Sequence, residues 1–393
     1  MNDPANITAP MTPAHAGGRR GHPRTSDRLA FAMRASLAIA LFAALPALAQ
    51  PIPGGVVLPP APTGVQTFAD QGTEFSIVNT AGVRPPPDFP GGGRFFNVNI
   101  PSFAIARTEV VESQLLEFHN TMAGVPTAPG DGREGLVNLA LNGLYGIRFS
   151  QVIGQAPTGR PIYGVYPGAE SVAVRSTYWL TAAMYCNWLH NGRQPTVDAI
   201  TNGAYDIRGV RIGVPDTFRN IGRQSGARYW LPSDAEWSIA TYWDPNHPTG
   251  AGGDWWHYSY GRNRLPISGL PAPFGTGETS YGVEEPEFLF GSIVPVASYT
   301  NQQSPWGLFD TSGGAAEWLD TSGEMEGFYV GDRLMGGTPA VFRNAGLDEV
   351  ERLRTLRQSS GGGGLRIATA IPTPGTVTFA VALLITTTRR RRS

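Results

Sequence analysis

Read for alternation, the chain offers strands before it offers a helix. Gly72–Asn79 (GTEFSIVN) alternates apolar and polar residues, and Phe95–Arg107 (FFNVNIPSFAIAR) does so again, which predicts a hairpin or two paired strands. The period then lengthens. Val111, Leu115, Phe118 and Met122 fall on one face of a helix over Val111–Met122. The strongest helical pattern is Thr177–His190 (TYWLTAAMYCNWLH), with Leu180, Ala183, Met184, Asn187 and Trp188 on one face. Ser176 or Thr177 can cap its start, and Asn191–Gly192 ends it. Arg228–Trp243 opens a further helix, in which Trp237, Ala240 and Thr241 face the core. Ser233 and Glu236 form its Ser-x-x-Glu capping box, each side chain satisfying an orphan amide. That role explains Glu236 without catalysis.

Between these elements the chain turns to glycine and proline. Gln50–Thr63 reads as a Pro-rich linker, Val83–Gly93 as loop, and Gln194–Ser225 as a polar insertion with weak alternation at Tyr205–Val214. Asp244–Phe290 carries an aromatic patch, Trp255–Trp256–His257–Tyr258–Ser259–Tyr260. Flat rings of this kind can stack on sugars; packing in the core is the plainer reading.

Ser304–Asp320 (SPWGLFDTSGGAAEWLD) is the stretch around which the rest is organised. Asp310 and Glu317 place two carboxylates around glycines, and in an extended segment the carbonyls of Gly313 and Ala315 point the same way. Two carboxylates and two carbonyls suit Ca²⁺, which takes six to eight oxygens. The same residues also suit a surface turn with Asp310 bonded to its own backbone, and chemistry alone favours the turn.

Charge and cysteine usage narrow the classes. Charged residues make up 16% of the 393, while 41% hydrophobic content, 50 Gly and 34 Pro describe a loop-rich globular chain. A formal net charge of −1 provides no global field for nucleic acid. Every basic residue is arginine, which excludes a phosphate-binding or Schiff-base lysine. Cys186 is the one cysteine, so neither an intramolecular disulfide nor a Cys-rich zinc site can form.

The 304–320 stretch resembles the G-L-[YF]-D-x-x-G-N-[VA]-W-E-W segment of the formylglycine-generating enzyme, or sulfatase-modifying factor, family, with Gly314 and Ala316 replacing Asn and Trp. Arg107–Gln114, Ala182–Leu189, Tyr229–Trp237 and Gly364–Ala368 resemble further family motifs in the same order. The resemblance covers about Gly72 to Thr369. It implies an α+β, C-type-lectin-like fold, loop-rich, with a mixed sheet and a few short helices. It also implies a structural Ca²⁺ held by Asp310, Gly313, Ala315 and Glu317. In the active enzymes a later cysteine pair holds Cu(I), which activates O₂ to oxidise a substrate cysteine; after Gly337 this chain has none. The resemblance therefore assigns no catalytic residue here.

Both ends carry targeting features. Within residues 1–50, Ala35–Leu45 is an apolar run of signal-peptide length followed by a small-x-small cleavage pattern at Ala47–Leu48–Ala49. Met33 is the expected translation start, which would give a compact signal. Residues 51–71 are expected as linker, 72–369 as the domain and 370–393 as a sorting tail. That tail joins Pro-x-Pro, an apolar run and four arginines, and resembles the PEP-CTERM signal with Thr373 in place of Glu. Phe379–Ile385 is too short to span a bilayer alone, but the uncharged span from Ile367 to Thr388 is long enough for a transient anchor.

Two classes of function follow. One is an exported, surface-associated, non-catalytic module that holds Ca²⁺ and binds a glycan or protein partner, after passage through export and sorting machinery. The other is an oxidoreductase of the formylglycine-generating type using other groups; the six histidines show no ligand spacing to serve it. A hydrolase is a distant third, since neither Gly-x-Ser-x-Gly nor His-Glu-x-x-His occurs.

Overall fold

The computed structural model describes residues 56–84, 100–127, 132–142, 150–175, 177–211, 221–249, 252–279, 294–323, 332–336 and 363–372. The signal segment, residues 95–99, most of the sorting tail and most of Val83–Gly93 lie outside these residues. Strands β1 (Thr67–Asp70), β2 (Thr73–Val78) and β3 (Phe103–Ala106) come first, with Phe75↔Ala106 and Phe68↔Phe75 in register. β2 falls within the predicted Gly72–Asn79 strand, but its burial does not alternate: Ser76 is fully buried and Ile77 half-buried. β3 is buried on both faces, so its four residues are all apolar.

Helix α1 (Glu112–Ala123) follows, close to its predicted span. Two elements without a clear sequence period come next: α2 (Gly132–Asn142) and the hairpin of β4 (Ser150–Gln155) with β5 (Pro161–Val165). Asn120 of α1 holds β5 by donating to the Tyr163 carbonyl at 2.8 Å and accepting its amide at 3.0 Å.

Helix α3 (Trp179–His190) departs from the amphipathic expectation. Its residues from Trp179 to Leu189, Leu180 apart, are buried all round, as in a helix enclosed by the core. Thr177 is not its N-cap, and Ser176 lies outside the described residues. Tyr178 takes that place without a side-chain bond, and the Thr177 amide and hydroxyl donate to the Gly363 carbonyl.

Part of the insertion enters the core as well. It forms α4 (Val197–Thr201), and Asn187 bonds the backbone of Ile200 and Tyr205, drawing both into the core. β6 (Tyr229–Trp230) leads into α5 (Asp234–Tyr242), whose predicted capping box is present in both directions. Glu236 also accepts from Arg223 and from the Trp230 indole, a structural role throughout.

The short pairs β7 (Trp243–Asp244) with β8 (Asp254–Trp255), and β9 (Glu317–Gly323) with β10 (Asp332–Gly336), precede β11 (Ala368–Thr369). β11 slots between β3 and β6, completing an antiparallel sheet of order β1-β2-β3-β11-β6. The last strand thereby joins β3 to β6. The stretch read as linker is also tied down: Pro59 accepts from Arg107 at 2.7 Å, Pro60 accepts from Gln303 at 3.2 Å, and β1 falls inside it. Among the described residues no helix is long and apolar enough to cross a membrane.

Candidate metal centre

The 304–317 loop is buried, and two arginines hold it there. Arg107, just past β3, donates from Nε to the Gly307 carbonyl at 3.0 Å, while the Phe309 amide donates to the Arg107 carbonyl at 2.8 Å. Ser304 Oγ donates to the Ala240 carbonyl of α5 at 2.8 Å and accepts the Leu308 amide, closing the turn at Gly307. Arg366, just before β11, has no exposed surface. Its Nε and Nη2 reach Glu317 at 3.0 and 2.7 Å, and its remaining donors bond the Ala106 and Phe309 carbonyls.

Glu317 is thus saturated. The Trp237 indole donates to its Oε2 at 2.6 Å, and Arg366 Nε is shared between both oxygens. Of the four residues the sequence nominated, Glu317 stands here as the counter-ion of Arg366.

Asp310 is the other nominated carboxylate, and it sits in the left-handed region at φ 57°. Its Oδ2 accepts the Ala297 amide at 2.6 Å, and Ala297 is itself left-handed at φ 57°. Two non-glycine residues in this region, joined by one bond, mark local strain. Burial pushes the Asp310 carboxyl up to about 6, against the opposing effects of the Ala297 amide and the Arg366 charge.

The residue that sequence reasoning missed is Glu109. It lies between β3 and α1, is 2% exposed, and accepts the Ala315 amide on Oε1 at 2.6 Å. Burial raises its carboxyl well above the ordinary range, and the neighbouring charges of Asp310 and Glu317 raise it further. The signal was in view: Glu109 belongs to the Arg107–Gln114 motif, read there only as a strand-to-helix element.

Around the turn, Tyr260 and Thr279 both donate hydroxyls to the Ser312 carbonyl, at 3.0 and 2.7 Å. Thr311 Oγ1 is buried with no hydrogen-bond partner. Three carboxyl groups therefore gather near Arg366, with Arg175 also acting on Asp310, and only Glu317 is in direct contact with a guanidinium. Asp310 and Glu109 each have one oxygen engaged by an amide, which leaves hard oxygen donors in a buried place where full ionisation would put surplus negative charge. Such a set fits a Ca²⁺-type cation better than a transition metal. Among the described residues no group of three or more His, Cys, Asp or Glu side chains converges as a metal site, so backbone carbonyls such as those of Gly313 and Ala315 would have to complete it.

The other chemistry-bearing residues are placed differently. Cys186 is fully buried in α3, where burial and the charge of Asp320 push its thiol well above the ordinary range. His119, in α1, is buried with both ring nitrogens unpartnered. Of the aromatic patch, Trp255, Tyr258 and Tyr260 are core, while Trp256 and His257 are half-buried.

A loop-rich α+β domain, closed by a strand from its C-terminal end and organised about a buried acidic loop, is the class these features define. The chain belongs to the sulfatase-modifying factor enzyme 1-like domain family, FGE-sulfatase, whose family model matches residues 95–366. That domain has the C-type-lectin-like fold. A comparison with curated proteins finds no match to the chain.

Proposed function

We propose that the protein is a non-catalytic member of its family, exported and surface-associated, that uses a structural Ca²⁺ to hold a binding module together and engages a glycan or protein partner. The observation that carries this reading is the state of Cys186. It is the one cysteine in the chain, and it is sealed in the core as a small apolar side chain. The copper–thiolate chemistry that the family resemblance implies needs an exposed pair.

Asp310 and Glu109, with the carbonyls of Gly313 and Ala315, would hold the cation, and Glu317 would stay with Arg366 beside it. Bound Ca²⁺ would neutralise the surplus charge and cross-link the loop to the β3–α1 junction; it would supply no reaction step. Asp310 belongs to the loop and Glu109 to the N-terminal half, so one ion would join segments 201 positions apart in sequence. The half-buried face of Trp256, backed by Asp244, which accepts its indole N–H at 3.0 Å, supports a sugar-stacking partner.

The test is a melt of the purified full chain with EDTA and with excess Ca²⁺, alongside an assay for formylglycine in a cysteine-containing sulfatase peptide. The reading expects a higher Tm with Ca²⁺ and no formylglycine. Peptide oxidation, or a Tm indifferent to Ca²⁺, overturns it in the respective part.

A further inference from the structure

Three of the large apolar side chains most exposed on the described surface lie on one short excursion. Leu265 is 49% exposed, Ile267 53% and Phe274 70%. From Leu265 to Gly277 (LPISGLPAPFGTG) there is no charged residue. An exposed apolar cluster of this kind usually marks a contact surface.

The excursion is held from within. The amides of Glu278 and Thr279 donate to the Ile267 carbonyl at 2.7 and 3.2 Å, Gly269 donates to Thr279 at 3.1 Å, and Gly277 donates to Leu270 at 2.9 Å. The backbones of Gly269 and Gly277 touch so closely that a Cβ at position 277 would run into the Gly269 carbonyl. The tip closes through bonds from Phe274 and Gly275 to the Pro271 carbonyl. Its base is bolted to the buried loop by the Tyr299 hydroxyl on Gly269 at 2.9 Å and by Thr279 on Ser312 at 2.7 Å. A braced tip loses little conformational freedom on binding.

Charge sits only at the base. Arg262 and Arg264 both reach Glu278, at 2.6 Å each, leaving one positive charge in excess, and Arg264 is more than half exposed. An uncharged apolar tip above an arginine-bearing base matches the layering of a bilayer interface, where apolar groups enter the acyl boundary and cations meet lipid phosphates.

We propose that Leu265, Ile267 and Phe274 insert into the interface of an anionic lipid bilayer, with Arg262 and Arg264 at headgroup level. A lipid surface suits the tip better than a protein partner does, since the tip offers no charge for a protein to read while its base carries arginine. The inference deepens the surface-associated reading above and rests on it. The apolar, four-arginine tail would bring the domain within reach of a membrane.

The experiment uses the full chain with Phe274→Cys, labelled with an environment-sensitive nitrobenzoxadiazole dye; Cys186, being buried, stays unlabelled. Gln194→Cys, at an exposed position outside the loop, is the control. Vesicles of phosphatidylcholine and phosphatidylglycerol are added, with and without a lipid-borne quencher. The expected result is a several-fold rise in emission with a blue shift at position 274, reversed by the quencher, and no change at position 194. I267S/F274S in the otherwise unlabelled chain should then weaken vesicle retention several-fold. A chain that floats with vesicles while the dye at 274 stays in water overturns the insertion and leaves the surface-associated reading standing. A chain that does not associate with vesicles overturns both. A blue shift at 274 seen only with an added protein and not with lipid also overturns the insertion.

Discussion

The carboxylate of Glu109 fills the space beside Gly314: a Cβ built at position 314 would lie 2.5 Å from Glu109 Oε1. Position 314 is where the resemblance shows an asparagine. Glycine there leaves room both for Glu109 to reach the Ala315 amide and for the Asp310 carbonyl, which the same Cβ would meet at 2.9 Å. Gly314→Ala should force Glu109 off that amide and lower stability by about 1–3 kcal/mol, read from the midpoint of urea unfolding. An unchanged midpoint would mean the carboxylate can move aside freely.

Asp310→Asn and Glu109→Gln test the surplus charge. Each variant keeps an acceptor for its amide, at Ala297 or Ala315, while removing a buried group that can ionise. Without Ca²⁺ both should melt at or above the parent's temperature. With Ca²⁺ both should gain less than the parent does. Calorimetry of Ca²⁺ binding gives the same comparison without unfolding.

Breaking the Glu317–Arg366 pair should be far more damaging. Both partners are at most 1% exposed, so removing either strands a buried charge, a loss of about 3–5 kcal/mol. Arg366→Met should be the worse of the two, because it leaves three carboxylates together and also orphans the Ala106 and Phe309 carbonyls. Glu317→Gln keeps an acceptor for Trp237. Denaturant melts of the two variants would show the order, and equal losses would contradict it.

His119 predicts an acid-sensitive term. Burial lowers its imidazole from 6.5 to about 3, so between those values the unfolded chain binds the proton and the folded one does not. Stability should therefore fall as pH drops below about 6.5, by on the order of 4–5 kcal/mol at the acid end if this group acted alone. His119→Leu removes two unpartnered polar atoms as well as the titration. It should flatten this limb of the pH–stability curve and match or exceed the parent at pH 5.

Ala297 holds φ at 57° without the freedom of glycine. Ala297→Gly should stabilise the fold by about 1 kcal/mol through relief of left-handed strain, minus the added entropy of the unfolded chain. The Asp310–Ala297 bond remains available, since it uses the backbone amide. A loss of stability would show that the Ala297 methyl contributes more by packing than its conformation takes away.

Much of the fold was legible in order along the chain, because its signals are local. The Ser233–Glu236 box needs only four consecutive residues, and the β2 alternation and the α1 face need only a short window. The buried surroundings of α3 were not legible: a helix apolar on every side has no face to read, and what encloses it comes from the insertion and from segments far along the chain. The β4–β5 hairpin escaped notice because it buries too little to impose a period, leaving Val152 and Ile153 exposed, whereas α2 was missed although Leu136, Val137 and Ala140 are core.

By itself the sequence determined the inventory: one cysteine, no lysine, an acidic glycine loop, and motifs ordered as in a single family. Those are properties of residue identity, and no folding could alter them. Only the tertiary structure decided which carboxylates meet, because Glu109, Asp310, Glu317 and Arg366 are brought together by β11 lying between β3 and β6. The family resemblance nominated Glu317 as a metal ligand. The fold shows what the sequence could not, that Glu317 is also the buried partner of Arg366, whose guanidinium has no water to solvate it.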